Sequence, residues 1–117
     1  MRVTIYHNPK CTKSRQTLDL LHAQGIKPVV IEYLKDPPDK TTLYKILRML
    51  KLRPRDLMRK KEDIYKETGL DRENLSDDAL VSAMIKNPVL MERPIVIANN
   101  KAAIGRPPEK VLEILKT

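Results

Sequence analysis

The chain has 117 residues, 41% hydrophobic and 32% charged, which is enough for one domain with a modest core. It has no run of about 18 apolar residues, so no membrane span is expected, and no signal peptide is visible in a polar start broken by Pro9. The formal charge of +8 calls for an anionic partner, but the absence of Phe and Trp argues against a stacking platform for nucleic acid.

Val3 and Ile5 alternate with Arg2 and Thr4, the period of a short strand, and Asn8-Pro9 stops it. Thr12 or Ser14 stands where a cap would for a helix over residues 13–24, with Leu18, Leu20 and Leu21 as its stripe and Gly25 as its C-cap. Lys27-Pro28 leads into a second strand over residues 29–33, whose apolar start reads as a strand covered on both faces. Strand, helix and strand make a right-handed βαβ unit with parallel strands.

Asp36-Pro37-Pro38-Asp39 breaks this pattern. Leu43, Ile46, Leu47 and Leu50 then predict an amphipathic helix to about Lys51. Pro54 opens a short helical piece through Leu57 and Met58, and Glu62 to Thr68 adds a turn or two before Gly69. Ser76-Asp77-Asp78 caps a helix carrying Leu80, Ala83 and Met84, which stops at Asn87-Pro88. Residues 35–88 thus form a helical block between two β portions.

Pro94-Ile95-Val96-Ile97 is a third strand, and Asn99-Asn100 suits a type I′ hairpin turn because Asn tolerates φ > 0. Ala102, Ala103 and Ile104 give a fourth strand, and Gly105 a bend. Pro107-Pro108-Glu109 opens a last helix with Val111, Leu112, Ile114 and Leu115 as its stripe. A parallel βαβ joined to an antiparallel ββα around one sheet is the α/β thioredoxin-like arrangement, here one domain over residues 1–117 with a helical insert over about 35–88. A ferredoxin-like α+β sandwich is the alternative from pattern alone.

The single cysteine, Cys11, falls in the turn between the first strand and the first helix. Unpaired N–H groups and the helix dipole put partial positive charge there. Lys10, Lys13, Arg15 and His7 lie within four residues of it. In such a setting the ordinary thiol pKa of about 8.5 falls, and the same N–H groups can bind an oxyanion. A lone Cys is more often a small core hydrophobe, but Lys, Thr and Lys are poor company for a core. With no second Cys there is no internal disulfide, which fits a reducing cytoplasm, and an outside thiol must resolve any oxidised sulfur. Arg59, Arg93 and Arg106 sit at element boundaries, and a guanidinium fork suits a tetrahedral oxyanion, although any one of them alone is more often a solvated surface residue.

His7-Asn8-Pro9-Lys10-Cys11-Thr12-Lys13-Ser14-Arg15 resembles the H-N-P-x-C-x-x-S-R signature of the glutaredoxin-coupled arsenate reductase family. Glu92-Arg93-Pro94-Ile95-Val96 and Gly105-Arg106-Pro107-Pro108-Glu109 resemble its two later blocks, and the likeness runs from residue 2 to 115. Lys10 stands where a small residue is often found, Thr12 replaces a common glycine, and Lys13 is unusual beside the nucleophile. The resemblance implies a thioredoxin-like fold, Cys11 as nucleophile and His7 as the histidine that helps hold its thiolate. It implies Arg59, Arg93 and Arg106 as the arsenate-binding arginines, with Ser14 and Arg15 beside them, and a cis proline at Pro94. It further implies arsenate or a similar oxyanion as substrate, glutathione as co-substrate, glutaredoxin as partner, and no bound cofactor or metal. Besides a retained fold with a lost activity, two rival readings remain. One is a glutathione-dependent thiol–disulfide oxidoreductase, for which Cys11-Thr12-Lys13-Ser14 would suffice. The other is a non-catalytic Spx-type regulator that binds RNA polymerase, against which His7-Asn8-Pro9, Arg93 and Arg106 count.

Overall fold

The computed structural model describes residues 2–116. The chain divides into two compact units, one built from the segments up to Asp36 and from Arg93 onward, the other from Pro37–Glu92.

The first unit holds a four-stranded sheet of β1 (Val3–Tyr6), β2 (Val29–Ile31), β3 (Ile95–Ala98) and β4 (Lys101–Ile104) in the order β2-β1-β3-β4. β1 and β2 are parallel, with Thr4 opposite Val29 and Tyr6 opposite Ile31. β1 and β3 are antiparallel, with Val3 opposite Ala98 and Ile5 opposite Val96. β3 and β4 form a hairpin closed by Asn99 and Asn100 at φ 54° and 60°, as the Asn-Asn pair predicts. This is the thioredoxin-like α/β topology.

One face of that sheet carries a continuous apolar cluster. Val3 and Ile5 alternate on β1 and meet Val96 and Ala98 of β3, as a period of two requires. Leu21 of α1 (Thr12–Ala23) packs on them, with Val111 and Ile114 from the C-terminal segment. That segment runs as a 3₁₀ turn, Pro108–Val111, into α6 (Leu112–Leu115). α1 ends in a Schellman arrangement: Gly25, at φ 77°, donates to the His22 carbonyl and Ile26 to that of Leu21.

Two expectations are corrected here. β2 is three residues long rather than five, and it is not covered on both faces: Val29 and Val30 are 43% and 44% exposed at the sheet edge. The cap of α1 is neither Thr12 nor Ser14 but Cys11, in extended conformation. Thr12 is the first helical residue and Ser14 lies inside the first turn.

The second unit contains α2 (Lys40–Leu50), α3 (Pro54–Leu57), α4 (Asp63–Glu67) and α5 (Asp77–Lys86), followed by a 3₁₀ turn at Pro88–Leu90. Asp39 Oδ1 accepts the Thr42 N–H at 2.8 Å and Ser76 Oγ the Ala79 N–H at 3.1 Å, so α2 and α5 are capped by side chains. Leu43, Ile46 and Leu47 of α2 are buried, as are Leu80, Val81 and Met84 of α5. The two helices pack together and share Asp78, which takes Lys40 Nζ at 3.0 Å and the Tyr44 hydroxyl at 3.0 Å.

Candidate functional site

The loop after β1 folds on its own polar groups. Asn8 Oδ1 accepts the Lys10 N–H at 3.0 Å and the Asn8 carbonyl accepts the Cys11 N–H at 3.0 Å. The Cys11 carbonyl takes the first helical bond, from the Arg15 N–H at 3.0 Å. Those bonds set the sulfur at the start of a helix of twelve residues, where the leading N–H groups have no partner of their own.

Cys11 is buried at 8% exposure, which pushes its thiol pKa up. The opposing contributions are larger in sum. Hydrogen bonding from the Arg93 side chain, the Ser14 N–H, the Arg93 charge and the Lys13 N–H together leave the pKa lowered. Arg106 adds a second guanidinium, with Nη2 3.8 Å from Sγ. Thus one sulfur from the first loop meets two arginines from the far end of the chain.

The arginines are positioned by backbone. Arg106 Nε donates to the Arg93 carbonyl at 2.8 Å, and the Gly105 N–H to the Pro94 carbonyl at 3.0 Å. Both the Arg93–Pro94 and Arg106–Pro107 peptide bonds are cis, the second of which no sequence pattern announced. Gly105 is there for space: a Cβ would collide with Thr17 Oγ1 and sit 2.8 Å from Pro94 Cγ.

His7 reaches the sulfur's loop through Ser14. Its Nδ1 lies 2.6 Å from Ser14 Oγ, which also accepts the Asn8 N–H at 3.0 Å. Burial lowers the His7 pKa from 6.5, opposed by the Glu32 charge. Burial thus favours the neutral imidazole, and His7 bears on the sulfur's loop through its bond to Ser14.

Ser14 is fully buried and its hydroxyl is taken up by His7 and Asn8. Arg15 is exposed and donates to Thr12 Oγ1 at 3.4 Å. Arg59 lies in the second unit, where Nη1 meets Glu92 Oε1 at 3.0 Å and Nε stands 3.7 Å from Glu62 Oε1. Thr17, which the sequence reading passed over, is fully buried on the same helix face as Cys11 and Ser14 and donates to the Lys13 carbonyl at 2.8 Å. The spacing 11-14-17-21 was the signal for it, masked because two of the four residues are polar.

The ArsC family model matches residues 6–114 of the chain. The uncharacterized protein YfgD of Escherichia coli K12 is 56% identical over 115 residues, 97% of both chains. The arsenate reductase of Neisseria meningitidis serogroup A is 50% identical over 114 residues, again 97% of both. Among solved structures, arsenate reductase from Vibrio cholerae superposes with a TM-score of 0.95 at 55% identity, over 97% of this chain and 98% of that one.

Proposed function

The chain belongs to the ArsC family, and from that premise we propose that it is an arsenate reductase in which the Cys11 thiolate attacks arsenate and glutathione and glutaredoxin restore the thiol. The observation that carries this reading is the pair of guanidiniums, Arg93 and Arg106, at one buried sulfur whose pKa is lowered. A disulfide-exchange thiol would gain its lowered pKa from one such cation and does not need the second. An approaching tetrahedral oxyanion does, because two anions must be brought into bonding distance.

The chemistry balances as follows. Sγ bonds to arsenic(V), and one arsenate oxygen departs as water with protons from solution. Glutathione thiolate supplies the second sulfur. The two sulfurs join, each giving one electron, and arsenic leaves as arsenite. The Cys11–glutathione disulfide is then opened by a glutaredoxin thiolate, which takes the glutathionyl group and frees the Cys11 thiolate. Arg93 and Arg106 hold the oxyanion and its adduct. Ser14 and Lys13 donate backbone N–H groups to the sulfur, and His7 is a positioning residue acting through Ser14. Arg15 and Arg59 complete the proposed set of substrate contacts. A reducing cytoplasm, where both thiol partners stay reduced, is the compartment this cycle requires.

The test follows NADPH oxidation with glutathione, glutathione reductase and glutaredoxin, with arsenate added to the wild type and to Cys11→Ser. Arsenate-dependent turnover that vanishes in the variant is expected. Turnover absent from the wild type, with Cys11 still alkylated near neutral pH, sinks arsenate as substrate.

A further inference from the structure

A groove of about 360 Å³ opens beside the sulfur's loop, lined by Lys13, Gln16, Leu20, Pro107, Pro108 and Glu109. One wall is a face of α1, since residues 13, 16 and 20 are spaced by three and four. The other wall is the turn that follows Arg106. Both walls begin at the sulfur: the Lys13 N–H bonds to it, and Arg106, just before Pro107, stands 3.8 Å from it. The volume lies at the low end of the roughly 300–1,000 Å³ typical of small-molecule sites. Lys13 and Glu109 bring a cation and an anion to the groove, and Leu20, Pro107 and Pro108 line it with apolar surface.

We propose that this groove holds the peptide arms of the glutathione co-substrate, Lys13 meeting a carboxylate and Glu109 the ammonium, while its sulfur lies against Cys11. A peptide thiol of this kind carries two carboxylates and one ammonium on a short chain. A purely basic groove would suit any anion, whereas a cation and an anion flanking apolar surface suit a zwitterion. The proposal rests on the glutathione-dependent reading above and deepens it. It also gives the unusual lysine at position 13 a use.

The test needs no arsenate, so its failure is separate from that of the reductase reading. Cys11 thiolate attacks one sulfur of oxidised glutathione. A Cys11–glutathione disulfide forms, the original S–S bond breaks, and glutathione thiolate leaves with the electron pair and takes a proton from water. The same step with bis(2-hydroxyethyl) disulfide, which has no charged arms, is the reference. Intact mass gives both rates, and their ratio cancels changes in the sulfur itself. Lys13→Gln and Glu109→Gln are each expected to lower the glutathione-to-reference ratio about two- to five-fold, the size of one exposed charge contact.

Glu109→Gln decides the matter. If the chain's positive field alone attracted the anionic disulfide, removing an acid would raise the ratio. A raised or unchanged ratio overturns the proposal. A ratio unchanged in both variants, with slower removal of glutathione from Cys11 by glutaredoxin, assigns the groove to the protein partner and overturns it as well.

Discussion

At Cys11 the outcome is set by a contest between burial and hydrogen bonding. Burial raises the thiol pKa, while the Arg93 side chain and the N–H groups of Ser14 and Lys13 lower it further than burial lifts it. The sign for reactivity follows. The thiolate fraction at neutral pH exceeds that of an ordinary thiol, and alkylation slows only as pH falls through the lowered value. Iodoacetamide labelling of the wild type should therefore show a midpoint below 9.0. In Arg93→Ala the burial remains while a hydrogen bond and a charge are lost, so the midpoint should rise. An unchanged midpoint would show that the helix N–H groups alone hold the sulfur. His7 acts differently, as a neutral ring that fixes Ser14, whose own N–H faces the sulfur.

Between elements, the approach of α1 to the β4 end is set by the missing side chain at Gly105. Gly105→Ala forces a methyl against Thr17 and Pro94, an overpacking that typically costs about 1–3 kcal/mol. Urea unfolding should register that loss, and the double variant with Thr17→Ala should recover part of it, the Pro94 contact remaining. Full recovery would mean that Pro94 yields freely. Much of this architecture was legible in the chain: the alternation of Val3 and Ile5, the Ser76 cap, the Asn99-Asn100 hairpin and the placement of Cys11 between strand and helix. Each is a local rule met by local residues. The edge position of β2 was not legible, because an apolar run such as Val29-Val30-Ile31 looks alike in a central and an edge strand, and strand order is decided by distant pairing. Nor was the burial of Ser14 and Thr17, since polar residues enter a core only when partners such as His7 and the Lys13 carbonyl are supplied by the fold.

Over the whole molecule, a charge of +8 surrounds a site that takes anions in the proposed cycle. The field can be weighed at Cys11 by comparing anionic iodoacetate with neutral iodoacetamide. Their rate ratio should fall as ionic strength rises past ~0.1 M, where screening acts within about 10 Å. A flat ratio would reduce the surplus Lys and Arg to solvated surface. The sheet unit is assembled from both ends of the chain, so the sulfur acquires Arg93 and Arg106 only when β3 pairs with β1. At the far side of that sheet, Val29 and Val30 leave one edge of main chain open to a stranger. An open edge is a template on which one molecule's strand can continue another's ladder. β2 is guarded by being three residues long and by Pro28, which offers no N–H at its entrance. An edge of three residues gives a foreign strand little ladder to copy.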